Sequence, residues 1–143
     1  MVNLSTLSTD VWQVLYDHLQ TSTYAISTDN IYSAYPDTGS ITYPMVIIYP
    51  PIINLKEITT GGGSQSIKEC SIVYNIEIYH TSAKNLKSLI DEIINSIKNG
   101  KENFSSNGIK NINFTDSDYD WWIETGKKIH MFSLTYTGRL IKK

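Results

Sequence analysis

Leu86, Leu89, Ile90, Ile93, Ile94 and Ile97 recur at three- and four-residue spacing, and this stripe constrains the fold more than any other feature of the chain. On a helix all six fall on one face, leaving Lys84, Lys87, Asp91, Asn95 and Lys98 toward water. Thr81 or Ser82 supplies a cap at the start, and Asn99-Gly100 supplies a stop. At about 1.5–3 kcal/mol for each buried aliphatic side chain, the stripe contributes on the order of 10 kcal/mol gross once it is laid on a sheet.

The sheet is written on either side of it. From Ile67 to Tyr79 the chain alternates, with Ile72, Tyr74, Ile76 and Ile78 on one face and Val73, Asn75, Glu77 and Tyr79 on the other. Before it, Met45-Val46-Ile47-Ile48 is a continuous apolar run between prolines, as in a short strand buried on both faces. Pro50-Pro51 ends or bends that run, and Ile52–Ile58 continues as a second extended piece. The glycines Gly61, Gly62 and Gly63 make the tip of a hairpin. After Gly108 two further strands are expected, Ile109–Phe114 and Lys127–Ile141, joined by an acidic, aromatic loop over Thr115–Thr125.

At the other end, Leu4, Leu7, Val11, Leu15 and Leu19 mark an amphipathic helix over about 4–20. Thr23–Ser40 is polar and tyrosine-rich, with turn signals at Tyr35-Pro36-Asp37 and a short extra strand near Ile31-Tyr32. The expectation is one α+β domain spanning 1–143, with a mostly antiparallel sheet packed against two helices. Its order is α-β-β-α-β-β, with room for the extra strand.

A length of 143 residues suits a single core without staples, and Cys70, the sole cysteine, offers no disulfide within the chain. Cys70 sits inside a strand with nothing local to activate its thiol, so it reads as packed and inert. The sequence shows no secretion leader and no apolar run long enough to span a membrane, so a reducing, cytoplasmic site of synthesis is expected. Net charge is −2 and only 18% of residues are charged, which disfavours grip on a phosphate backbone. A weakly charged surface rich in tyrosine instead suits contact with protein.

No catalytic constellation emerges. Asp116, Asp118 and Asp120 alternate like the start of a calcium loop, yet that motif needs Gly and Glu where this chain has Trp121 and Lys127. His18, His80 and His130 lack partners at metal-ligand spacing, and the glycine run lacks the Lys-Ser/Thr of a phosphate loop. No cofactor is expected. Trp121 and Trp122 read as core packing or a subunit contact, since adjacent acids repel nucleic acid. Only a deep polar pocket lined by Asp17, His18, His80 or His130 would favour an enzyme.

In order and spacing, the chain resembles the tail terminator proteins of long-tailed phages and related viruses. The parts that carry the resemblance are the Leu4–Leu19 helix, the proline-framed YPMVIIYP strand and the SIVYNIEIY strand. The NLKSLIDEIINSIK helix, the SNGIKNINF strand and the terminal TYTGRLIKK follow. The resemblance implies a hexameric ring at the head-proximal end of the tail, capping the tube and joining it to the head connector. Its partners would be copies of itself, the tail tube protein and the connector protein, with DNA only passing through the pore and no membrane involved. It further implies that Thr23–Ser40, Thr59–Ser66 and Thr115–Thr125 order on contact with neighbours. Tyr32, Tyr35, Gly61, Gly62, Gly63, Asp118, Trp121 and Trp122 are the candidate contacts. A head-tail connector subunit and a small ligand-binding domain or enzyme are the competing readings.

Overall fold

A computed structural model describes residues 7–22, 30–36, 41–59 and 66–142. Its elements are α1 (Leu7–Ser22), β1 (Ile31–Tyr32), β2 (Met45–Ile48), β3 (Ile52–Thr59), β4 (Ser66–His80), α2 (Ala83–Asn99), α3 (Lys101–Ser106), β5 (Ile109–Glu124) and β6 (Lys127–Lys142). The class is α+β as expected, but the expected order is too short. A third helix follows α2, the proline-interrupted run forms two separate strands, and the short strand at Ile31-Tyr32 is present.

Among the described residues six strands form one sheet in the order β1-β2-β4-β6-β5, with β3 also paired to β4. Only β1 and β2 run parallel; every other pair is antiparallel. Ile48 faces Ile76 while Ile52 faces Val73, so residues 49–51 span two residues of β4. Pro50 and Pro51 have no N–H to give the ladder, which explains why it breaks there and why β2 and β3 are distinct. Tyr49 still donates its N–H to the Asn75 carbonyl at 3.0 Å.

The alternation in β4 sorts the core into two layers. Ile72, Tyr74, Ile76 and Ile78 face the helices and pack with Val11, Leu15, Leu19, Leu86, Leu89, Ile93, Ile97 and Phe104. Residues of β2 do the same in miniature: Val46 and Ile48 face the helices, while Met45 and Ile47 face away, and all four are buried. Helix α1 is tied to the sheet by two polar bonds. The Trp12 indole N–H donates to the Ile48 carbonyl at 2.6 Å, and the Tyr74 hydroxyl donates to the Val11 carbonyl at 2.7 Å. Burial pushes the Tyr74 hydroxyl pKa up, so it stays a donor. Cys70 is fully buried in this layer and burial raises its thiol pKa.

Helix α2 starts where its sequence signals place it, with the Ser82 hydroxyl accepting from the Asn85 N–H. At its end, Gly100 both closes α2, through its N–H to the Ile97 carbonyl, and begins α3. His18 of α1 fills the space beside it. Its Nε2 lies 2.8 Å from the Ser96 carbonyl, and Asn103 Nδ2 lies 3.0 Å from its Nδ1. A carbonyl only accepts, so Nε2 carries the proton and Nδ1 accepts from Asn103.

The Gly100 backbone, at φ −93°, is one that any residue adopts, yet an added Cβ would overlap the His18 ring. G100A should therefore destabilise the chain by about 1–3 kcal/mol through overpacking alone. Urea denaturation checks this, with H18A/G100A losing less than the sum of the two single changes because the overlapping ring is gone.

Candidate assembly surfaces

The acidic, aromatic segment is not a loop. It is the outer two-thirds of β5, a 16-residue strand that pairs with β6 up to Glu124 opposite Lys127. Thr125 and Gly126, at φ 50° and 77°, close the hairpin as a two-residue turn, a backbone whose twist matches that of paired strands. Asp116, Asp118 and Asp120 alternate because the strand does, all on the face away from the helices. Two register shifts, between Lys110 and Asn113 and between Phe114 and Asp116, bend β5 outward past the core. Asn111 adopts φ 55° at the first of these.

Beyond the bends β5 has one ladder partner among the described residues, making it an edge strand, and most of its side chains lie in water. Tyr119, Trp121 and Ile123 project on the helix side of the sheet yet lie beyond the helices; they are 47%, 49% and 68% exposed. The Lys128 ammonium sits 4.2 Å from the centre of the Trp121 ring, and the Tyr119 hydroxyl lies 2.6 Å from His130 Nδ1. An exposed edge this long, carrying large apolar side chains, is a ready template for pairing with another chain.

On the opposite face a second apolar layer forms around Met45, Ile47, Tyr79 and Ile129. Here the structure gathers residues from three distant segments. Tyr35 meets the Tyr79 ring edge-on at 5.7 Å, and Trp122 meets it at 5.8 Å, while Tyr32 packs against the same layer. Asp118, Trp121 and Trp122 thus lie together on one strand, and Tyr32 and Tyr35 sit near Trp122 through Tyr79. Trp121 faces water, whereas Trp122 joins the layer. Gly61, Gly62 and Gly63 lie outside the described residues, as do Thr23–Asp29 and Asp37–Ser40 of the tyrosine-rich segment.

This layer is built on hydroxyls. Glu77 accepts from Tyr49 at 2.5 Å and from Tyr79 at 2.8 Å. Burial, then the Glu77 carboxylate, pushes Tyr49 up to about 12 and raises Tyr79 as well. Tyr43 is likewise pushed up to about 12, by burial first and then by Tyr35 and Glu124. Sequence reasoning missed Glu77 and Tyr79 as an organising pair. The available signal was a carboxylate in a strand whose neighbours on the same face are Asn75 and Tyr79.

The histidines do not converge on a polar pocket. His18 is locked between α1, α2 and α3, and Asp17 is exposed, with the Gln13 amide on its carboxylate. His80 and His130 face each other across β4 and β6, and burial, then His130, lowers the His80 pKa. Among the described residues no three His, Cys, Asp or Glu side chains cluster as a metal site, and no helix is long and apolar enough to cross a membrane.

A tyrosine whose pKa is raised by folding contributes stability that is complete below its unfolded value near 10 and is lost as pH rises through the folded value. Tyr43, Tyr49 and Tyr136, each near 12, place that loss between about pH 10 and 12. Alkaline titration should show exposed tyrosines ionising first, and a second rise in tyrosinate absorbance that coincides with loss of near-ultraviolet circular dichroism. A single transition near pH 10 with the fold intact would contradict this.

No protein-family model and no curated protein matches the chain. Among solved structures, its fold is similar to that of a chain in the virion of the native gene transfer agent particle. The TM-score is 0.60 at 11% identity, and the match covers 92% of this chain and 95% of that one.

Proposed function

We propose that this chain is a structural protein of a virus-like particle, most specifically a tail terminator. In this role copies form a ring, hexameric in the family it resembles, that caps the tail tube, ends its growth and joins it to the head connector. The observation that carries the reading is the end-to-end fold match to a virion chain, over 92% of this chain and 95% of that one. The exposed edge of β5 supports it physically, because a small subunit with an unpaired, apolar edge gains by covering it with a neighbour. Work is done by contact, without catalysis or cofactor, on the tube protein, the connector protein and sister copies. DNA passes through the ring without being gripped, and the particle forms in the host cytoplasm.

A head-tail connector subunit would share this fold and this need for contact, and tail length separates the two. Particles lacking this chain should carry tails of uncontrolled length, and purified chain added to polymerising tube protein should stop elongation. Tails of normal length that merely fail to join heads would favour the connector reading. Normal, fully joined particles would overturn both.

A further inference from the structure

At the helix end of β5 lies a groove of about 180 Å³, lined by Ile97, Ile112, Phe114 and Tyr136 and rimmed by Lys98 and Lys101. Phe114 is 46% exposed at its mouth and meets the Tyr136 ring edge-on at 5.5 Å. The Tyr136 hydroxyl is buried with no hydrogen-bond partner among the described residues, which is costly for a donor unless another group completes it. Both rim lysines are exposed, and Lys101 also lines, with Lys110, a second hollow of about 310 Å³. The site therefore suits an apolar or aromatic segment that brings carboxylates and a hydrogen-bond acceptor.

Such a segment lies at the far end of the same strand. Tyr119, Trp121 and Ile123 give it exposed apolar side chains, and Asp116, Asp118, Asp120 and Glu124 outnumber Lys127 and Lys128 around the turn. From Asn113 to Trp121 is eight residues, roughly 26 Å at the rise of an extended strand. One chain cannot fold its tip back into its own groove. Two different, complementary patches on one rigid element make a head-to-tail contact, the kind that closes into a ring when the rotation allows. Lysine stems are long enough to reach past the edge of a seated strand to carboxylates on its outer face.

We infer that the β5–β6 hairpin tip of one copy seats in the lysine-rimmed groove between α2 and β5 of the next. This rests on the ring assembly proposed above and names its joint. Charge swapping tests it. Lys98→Glu with Lys101→Glu makes the groove acidic, and Asp118→Lys with Asp120→Lys makes the tip basic; all four positions are exposed, so the fold should survive.

Native mass spectrometry at fixed protein concentration should show the wild type as a ring and each variant alone as monomer. An equimolar mixture of the two variants should regain rings, since each tip then meets a groove of opposite charge. That recovery also shows both variants to be folded. Rings formed by either variant alone as readily as by the wild type would overturn the joint and leave the ring standing. Intact rings with lost binding to tube or connector would overturn it too, assigning the groove to another protein. A wild type that stays monomeric at every concentration and beside tube protein would overturn both joint and ring.

Discussion

Strand β4 is the element on which the rest of the structure depends. Its 15 residues pair with β2 and β3 along one edge and with β6 along the other. Its strict alternation puts an aliphatic row under the helices and places Glu77 and Tyr79 in the opposite layer. A slip of one residue would exchange the two faces, burying Glu77 among leucines and isoleucines and moving Ile76 and Ile78 to the layer that now holds Glu77 and Tyr79. The Tyr74–Val11 bond reads the same register, since it exists only when Tyr74 faces α1. Both layers thus follow from one strand, and so does the position of β6, which carries β5 outward.

The parts legible in the sequence are those where one signal dominates. Helix α2 is bounded by Ser82 and Gly100 as its spacing indicates, and β4 carries the faces its alternation indicates. Met45–Ile48 is buried on both sides, as an unbroken apolar run between prolines requires. Helix α3 was not legible because KENFSS is short and polar, and what anchors it is non-local: Phe104 packs against the His18 ring and Asn103 bonds the same ring. The outer part of β5 was misread for a different reason. Aspartate is a poor strand former, and three of them at alternate positions look like a loop when the partner strand is out of view. Pairing with β6 overrides that preference, and the Thr125-Gly126 turn after a period-two pattern was the local sign of it.

The candidate contacts divide along the same line. Trp121 and Asp118 stand out in the sequence as residue types, with Trp121 readable either as core or as a contact. Their arrangement does not. That Trp121 faces water while Trp122 packs on Tyr79 follows from strand geometry, which sends neighbours to opposite faces. The groove at Ile112–Phe114 and Tyr136 depends on two register shifts and on the end of α2, which no local pattern encodes. The similarity to a virion chain at 11% identity is likewise one of fold.

On the assembly proposed above, β5 is exposed in the free chain and covered in the particle. Amide hydrogen exchange over residues 112–124 tests this most directly, compared between free subunit and assembled tail. Amides of this strand that do not bond β6 should exchange readily in the free chain and become strongly protected on assembly, while those of β4 are slow in both states. Unchanged exchange along β5, with new protection confined to other surfaces, would contradict it.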